Sequence, residues 1–207
     1  MARKSEPNHY NQTQLRHSET DIENPRSRRT VLVSAAYRDD RPWVRGAGRC
    51  RELDLFEIDH VGVGEMVAPY EVVRTHQSGA FFMACFGGQG QVLVDGRWRT
   101  LAAGQACLQP AGLRNSFRIG RGRRWDFCWV RFAPGVRSRT IFRANSPVLA
   151  DFAGEPLLAA IRGLIAEQKA DSLSRRQHQW VELIYDYVRG FAGGFRGDAR
   201  IEGLWDK

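Results

Sequence analysis

Closely spaced glycine turns in residues 81–132 restrict the fold of this chain more than any other feature of its sequence. Asp95-Gly96 lies between two runs of strand length, residues 91–94 and 97–101. An Asp-Gly pair in this position is typical of a β-hairpin, because both central residues of a type I′ turn need positive φ. Residues 125–132 close the series. Many short strands with regular turns predict a closed β-barrel or a β-sandwich.

Two further strand boundaries follow from the same reasoning. The apolar run 81–86 is followed by Gly87-Gly88-Gln89-Gly90, which predicts a turn before residues 91–94. Upstream, Leu53 and Leu55 are spaced two apart, which predicts that strands begin at Glu52 and that residues 52–58 form the first of them. The region from residue 52 to residue 132 is therefore predicted to be all β.

After Phe132 the sequence pattern changes from one typical of strands to one typical of helices. Glu155-Pro156 opens a run with apolar residues at helical spacing, and Gly193-Gly194 ends a second such run. Two helices joined by a tight turn form an antiparallel hairpin. The second helix carries an apolar stripe, which we predict to form a dimer interface, although the barrel could also be what it covers. The residues predicted for this interface are Trp180, Ile184, Tyr187, Val188 and Phe191.

Charge and composition narrow the class of protein. The net charge of +8 suits an acidic partner, but the nine arginines in residues 114–143 accompany neither a recognition helix nor a stacking motif, so solvated loops are favoured. The chain has no apolar run of 18 residues and no signal peptide, which predicts a cytoplasmic protein without membrane contact. The four cysteines are widely spaced, which indicates reduced, buried thiols.

Motifs for catalysis are missing from the sequence. It contains no GxSxG elbow, no P-loop and no GxGxxG that opens a helix. A metal site needs several converging ligands, and only His60 and His76 lie in the predicted barrel, with Glu65 or Glu71 as added oxygen ligands. This is a poor ligand set, so we predict no metal, no cofactor and no enzymatic activity.

The sequence contains more residues suited to a small-molecule pocket than to a metal site. Trp125, Phe127 and Trp129 alternate along one strand and therefore share a face, with Phe117 on another run. Such a face either stacks on a ligand or is plain core. Arg74 lies in an otherwise apolar strand, and two interpretations stay open: a buried guanidinium that needs an anionic or hydroxyl-rich partner, or a surface arginine.

Taken together, these residues resemble the ligand-binding and dimerisation domain of AraC-type transcription regulators. The resemblance covers about residues 50–207. It is carried by Arg74, Gly88-x-Gly90, Val94-Asp95-Gly96, Leu101-x-x-Gly104, Leu108-x-Pro110 with Gly112, and Trp125-x-x-x-Trp129-Val-x-Phe132.

The resemblance implies a mainly β fold with C-terminal helices, in which a cupin-type β-barrel (jelly roll) is followed by an antiparallel α-helical hairpin. It further implies a barrel that binds a small-molecule effector and helices that form a homodimer. Arg74 and Trp129 match positions that line the effector pocket in the family. The family often has His and Tyr where this chain has Asn115 and Phe117, and Phe127 replaces a polar group, so a less polar pocket is implied. We expect a sugar-like effector or a small organic acid.

The resemblance also implies the organisation of the chain. Residues 1–48 are expected to be a flexible arm, 49–134 the sensor barrel, 135–194 the helical dimerisation hairpin, and 195–207 a linker and the start of a missing DNA-binding domain. The expected function is that of an effector-sensing domain that contacts DNA only through this absent part. Two alternatives stay open: a metal-dependent cupin enzyme, and a dimerisation module whose barrel is filled.

Overall fold

The computed structural model describes residues 19–75, 77–135, 146–169 and 174–194. Predictions for the start of the arm, for His76 and for residues 195–207 lie outside these ranges. The described strands are β1 (Thr20–Glu23), β2 (Arg28–Ser34), β3 (Gly48–Cys50), β4 (Ile58–Val67), β5 (Tyr70–Arg74), β6 (Phe81–Val94), β7 (Arg97–Ala102), β8 (Gln105–Gln109), β9 (Asn115–Arg118), β10 (Arg124–Phe132) and β11 (Val148–Asp151). The described helices are α1 (Pro42–Arg45), α2 (Glu52–Leu55), α3 (Glu155–Lys169) and α4 (Ser174–Gly194).

One curled sheet contains all the described strands, and β6 is its centre. The first half of β6 pairs with β10 and β8, whereas its second half pairs with β7 and β9. The path from β1 through β5, β9, β6, β10, β4 and β2 ends at β3. Every pairing is antiparallel except that of β2 with β3. The predicted mainly β fold, a cupin-type barrel followed by a helical hairpin, is confirmed.

The glycines of β6 do not form the predicted turn, and that prediction is wrong. The strand runs without interruption for 14 residues. Gly88 has a φ of 63°, next to a bulge opposite Asp126 and Phe127 of β10. A Cβ at Gly90 would lie 2.2 Å from the ring of Trp125. Gly88 instead adopts the positive φ beside the bulge, and Gly90 allows the indole of Trp125 to approach the backbone. The Asp95-Gly96 hairpin is confirmed, with φ values of 48° and 74°.

Alternation along the strands separates two apolar clusters. Trp125, Phe127 and Trp129 of β10 point into the barrel, as their spacing predicts. Cys128 and Val130 point the other way, toward the helices. All four cysteines are buried, as predicted, and burial raises the pKa of the Cys107 and Cys128 thiols to about 12.

Helices α3 and α4 pack on each other and cover the outer face of the sheet. A Cβ at Gly163 of α3 would lie 2.7 Å from the ring of Trp180 on α4, so the two helices approach closely at this glycine. Ile184, Val188 and Phe191, which we predicted to meet a second copy, are 0%, 0% and 8% exposed and pack within the chain's own core. Within the described ranges, no helix is long and apolar enough to cross a membrane.

The sheet begins earlier than the expected boundary between arm and barrel at residue 49. β2 pairs with β4, and β1 pairs with β5, so residues 20–34 belong to the barrel. The strand predicted for residues 52–58 is wrong for its first part, which is the helical turn α2. Leu53 and Phe56 are both buried, and a spacing of three places them on one side of a helical turn.

Candidate ligand-binding site

A cavity of about 700 Å³ enters the barrel between the sheet and the segment that precedes α1. Its walls come from β4, β5, β9 and β10. The five residues predicted for the effector pocket all line it: Arg74, Asn115, Phe117, Phe127 and Trp129. Strand alternation brings them together, because each side chain lies on the inward phase of its own strand.

Aromatic rings form the floor of the cavity. Phe127 lies 5.8 Å from Trp129 and 6.4 Å from Phe117, measured between ring centroids. Phe81 stacks on Phe117 at 5.5 Å with an interplanar angle of 5°. Packed rings of this kind give a rigid apolar surface on which the flat or aliphatic body of a ligand can rest.

His60 fixes the orientation of the Trp129 indole. The Nε1–H of Trp129 donates a 2.9 Å hydrogen bond to Nδ1 of His60. A Cβ at Gly62 would lie 2.4 Å from the same indole, so the ring rests directly on the backbone of β4. Because Nδ1 accepts, the neutral imidazole carries its proton on Nε2. Burial, aided by the positive charges of Arg131 and Arg41, holds the pKa of His60 well below its usual value.

The rim of the cavity is formed by the segment before α1 and by Trp43 of α1 itself. The rings of Tyr37 and Trp43 lie 5.5 and 5.1 Å from the imidazole of His60. Asp39 accepts hydrogen bonds of 2.9 and 2.6 Å from the guanidinium of Arg41. Burial raises the pKa of Asp39, but the hydrogen bonds from Arg41 outweigh it and leave that pKa lowered. These two charges therefore compensate each other at the rim.

Arg74 is neither a deeply buried cation nor a plain surface arginine. Its guanidinium donates to both carboxylate oxygens of Asp21, at 2.7 and 2.9 Å, and Nε lies 3.6 Å from the carboxylate of Glu19. The side chain is 12% exposed, whereas that of Asp21 is 43% exposed. The anionic partner that the first of the two interpretations requires is supplied by β1 and the residue before it.

Asn115 is buried on the wall beside Gln77. Its Nδ2 donates a 2.5 Å hydrogen bond to Oε1 of Gln77. Its Oδ1 has no hydrogen-bond partner among the described residues. The pair adds amide chemistry to a cavity that is otherwise aromatic inside and charged at the rim.

Sequence reasoning missed most of the charged residues that line the cavity, and Arg131 and Asp59 are two of them. Arg131 continues the inward phase of Trp125, Phe127 and Trp129, and that spacing was available in the sequence. The position of Asp59 at the cavity depends on a β-bulge in β4. Arg131 pairs with His60 and Phe132 pairs with Ile58, so Asp59 is an extra residue on β4. Simple alternation gives no signal for such a residue.

The family model for AraC-like ligand binding domains matches residues 67–184 of this chain. The match spans more than half of the sequence. This chain belongs to the AraC-like ligand binding domain family.

Solved structures that resemble this AraC-like domain include a cupin 2 domain of an XRE family transcriptional regulator from Enterobacter cloacae (TM-score 0.37, 16% identity, 52% of this chain and 98% of that one). A predicted oxalate decarboxylase from Thermotoga maritima has a TM-score of 0.38 at 13% identity, over 56% of this chain and 91% of that one. The cupin domain of Cnp3 from Schizosaccharomyces pombe has a TM-score of 0.33 at 17% identity, over 36% and 55%. Likenesses this weak carry no argument about function. No curated protein sequence matches the chain.

The described members of the alternative metal site, His60, Glu65 and Glu71, do not converge in this AraC-like domain, and His76 lies outside the described residues. His60 and Glu65 are an odd number of residues apart on β4 and point to opposite faces of the sheet. Glu65 lies 3.6 Å from the guanidinium of Arg124 outside the cavity, and Glu71 is likewise out of phase with the inward residues of β5. The described residues contain no group of three or more histidine, cysteine or acidic side chains that could hold a metal.

Proposed function

We propose that this chain is the effector-sensing and dimerisation part of an AraC-type transcription regulator, acting in the cytoplasm without enzymatic activity. One observation carries the proposal: the five side chains chosen for the effector pocket surround a single cavity of about 700 Å³ in a domain of the AraC-like ligand binding family. Pockets of this size, with an apolar floor and few polar groups, are typical of small-molecule sites. The DNA contact of such a regulator is proposed to lie outside the barrel and hairpin.

The proposed response is a population shift that involves the N-terminal strand. Asp21 and Glu19 hold Arg74 at the rim of the cavity, so β1 and the effector site share one guanidinium. An effector that interacts differently with the paired and released forms of β1 changes their ratio by that difference in free energy. In this scheme β1 reports to the rest of the molecule whether the cavity is filled.

The proposed homodimer uses the outward face of α4. Leu183 is 43% exposed, and Trp180 and Tyr187 lie three residues before it and four residues after it, each half-buried. This spacing places the three side chains along one stripe of the helix. The stripe of Ile184, Val188 and Phe191 is used by the chain's own core, and the buried parts of Trp180 and Tyr187 pack against that core as well. We propose that Leu183, with the exposed parts of Trp180 and Tyr187, meets the second copy.

A thermal-shift screen of sugars, sugar acids and small organic acids tests the proposed sensing function. A ligand that binds only the folded state raises the melting temperature in proportion to ln(1 + [L]/Kd). Each hit is repeated on Trp129→Ala, which removes part of the cavity floor, and on Trp98→Ala as a matched control. Trp98 lies outside the cavity, on β7, under the guanidinium of Arg118.

The expected result is a shift that is kept in Trp98→Ala and lost in Trp129→Ala. Trp129→Phe, which keeps an aromatic ring, replaces the alanine variant if that variant does not fold. Shifts that are equal in both variants would place the ligand elsewhere and contradict the proposal. Stoichiometric iron, manganese or zinc found by elemental analysis of the purified protein would favour the metal-dependent enzyme instead.

A further inference from the structure

Arg131 presents a cation to the cavity and forms no ion pair with any described residue. Its guanidinium is held in place by two hydrogen bonds, of 2.7 Å to the carbonyl oxygen of Phe132 and 3.0 Å to Oγ of Ser78. A Cβ at Gly79 would lie 2.5 Å from the same group, so the glycine leaves room for it. Arginine has five N–H donors, and the other three have no acceptor among the described residues. The group is oriented, and part of its hydrogen-bonding capacity is unused.

Asp59 presents an anion to the same end of the cavity. It is the extra residue between two rungs of the β4–β10 ladder, and a bulge of this kind turns a side chain away from its regular direction. The Asp59 carboxylate makes no hydrogen bond or ion pair with any residue in the described part of the chain. Asp59 and Arg131 lie near each other without forming an ion pair.

Three other charged residues that line the cavity, Asp39, Arg74 and Asp54, have their charges or oxygens engaged by the protein. Asp39 is bound to Arg41, and Arg74 is bound to Asp21. Asp54 accepts backbone N–H groups of residues 35 and 36, at 3.1 and 3.2 Å. A largely buried carboxylate without a hydrogen bond is costly, as is a guanidinium with N–H groups left unused, so Asp59 and Arg131 mark a place where a ligand can add missing interactions.

We propose that the effector is a small organic acid whose carboxylate binds Arg131 and whose neighbouring carbon carries a hydrogen-bond donor, hydroxyl or ammonium, that Asp59 accepts. The apolar remainder of the molecule lies on the rings of Phe127 and Trp129. This inference rests on the proposed sensing function, which it deepens by naming the class of ligand.

The electrostatics of the two residues agree with this assignment. Burial raises the pKa of Asp59, and the positive charge of Arg131 only partly offsets this shift. Burial likewise lowers the pKa of Arg131, and the negative charge of Asp59 only partly offsets that shift. Each charge is therefore incompletely compensated in the free protein. A ligand with a carboxylate and an adjoining donor supplies an opposite group to both, whereas a simple amine or a neutral sugar supplies at most one.

Isothermal titration of the whole chain with four related probes tests the assignment. 3-Phenyllactate and phenylalanine carry the carboxylate and a donor, 3-phenylpropionate lacks the donor, and phenethylamine lacks the carboxylate. The expected result is that at least one of the first two binds about tenfold or more tighter than 3-phenylpropionate, and that phenethylamine does not bind. Comparing phenyllactate with phenylalanine distinguishes a hydroxyl from an ammonium donor.

Variants connect the affinities to the two residues. Arg131→Gln is expected to weaken binding of the acids about 10- to 100-fold, the range for a hydrogen bond to a charged group. Asp59→Ala is expected to abolish the preference for the donor-bearing acids over 3-phenylpropionate. Arg124→Gln is the control, because that arginine is on the same strand but 60% exposed outside the cavity. Arg131→Lys, which keeps the charge and loses the planar fork, is used if the glutamine variant does not fold.

The outcomes separate this inference from the proposed function. If none of the four probes binds, or if hits from the wider screen that depend on Trp129 bind equally well to Arg131→Gln, the assignment of the ligand class is overturned and the sensing function stands. If no compound in either experiment binds in the cavity, the proposed function fails, and the assignment fails with it.

Discussion

Nε1 of Trp129 and Nδ1 of His60 are 2.9 Å apart and joined by a hydrogen bond inside the barrel. The bond connects β10 to β4 beneath the ligand cavity. It fixes the plane of the indole that forms part of the floor, and it leaves the Nε2–H of His60 without an acceptor among the described residues. The consequences for stability and for pH dependence can be measured separately.

Trp129→Phe keeps an aromatic ring but removes the donor. His60 is buried, so Nδ1 loses its partner without gaining water, and the free energy of unfolding is expected to fall by about 1–3 kcal/mol. Urea denaturation measures the change, with Trp98→Phe as the control. Equal losses in the two variants would show that ring size, and not the hydrogen bond, sets the cost.

Gly62→Ala tests how closely the indole rests on β4. The added Cβ would lie 2.4 Å from the ring of Trp129 and 2.8 Å from the carbonyl oxygen of Thr30, so either the ring or the backbone must move. Overpacking of this kind is expected to destabilise the fold by about 1–3 kcal/mol. Gly46→Ala is the control, since a Cβ there meets nothing within 4 Å. If Gly62→Ala changed neither the free energy of unfolding nor the tryptophan fluorescence spectrum, the close packing would be contradicted.

Titration of His60 should make the fold less stable in mild acid. The pKa of His60 in the folded protein is held well below 6.5, mainly by burial. As the pH falls through 6.5, His60 therefore becomes protonated in the unfolded chain but stays neutral in the folded protein. Stability due to the neutral ring is complete above that pH and is lost as the pH falls. At one pH unit below 6.5 the loss is at most about 1.4 kcal/mol, the value reached when the folded protein binds no proton at His60.

His60→Asn isolates this effect, because the amide oxygen can still accept from Trp129 but does not titrate. The free energy of unfolding of the wild type, minus that of the variant, is expected to fall between pH 8 and pH 5.5, by up to about 1.4 kcal/mol. Taking the difference cancels the other titrating groups. Parallel pH curves for the two proteins would mean that His60 is protonated alike in both states.

The walls of the site could be predicted from the sequence because they depend on local rules. Period-two alternation places Phe127 and Trp129 on one face wherever their strand runs, and Asp95-Gly96 fixes a hairpin through its own backbone. The same alternation includes Arg131, which sequence reasoning assigned only to a basic region. This omission was avoidable.

Other features depend on contacts that no local pattern contains. The glycines at 87–90 could form a turn or a bulge, and the choice is made by the approach of Trp125 to Gly90 across the sheet. The carboxylate that binds Arg74 comes from Asp21, 53 residues away in the chain. Likewise, the apolar stripe of α4 has two possible partners, and only packing shows that Ile184 and Val188 cover the barrel.

Asp21→Asn tests the attachment of β1 to the rim of the cavity. The substitution removes the charge that pairs with Arg74 while leaving the backbone ladder between β1 and β5. Because Asp21 is largely exposed, global stability is expected to change by less than about 1 kcal/mol. Hydrogen exchange of the backbone amides in residues 20–23 should become several-fold faster. The same acceleration in Arg99→Ala, on the exposed face of β7, would show a general effect rather than release of β1.

Leu183→Glu tests the proposed dimer face. A charge in the middle of an apolar contact must be desolvated without a partner, so the variant is expected to sediment as a monomer at concentrations where the wild type is a dimer. Its melting temperature extrapolated to low concentration should match that of the wild type, because Leu183 is 43% exposed in the single chain. Ile22→Glu is the control, since Ile22 is similarly exposed at 44% but lies on β1. Dissociation by Ile22→Glu with an intact Leu183→Glu dimer would move the interface from the helices to the edge of the barrel.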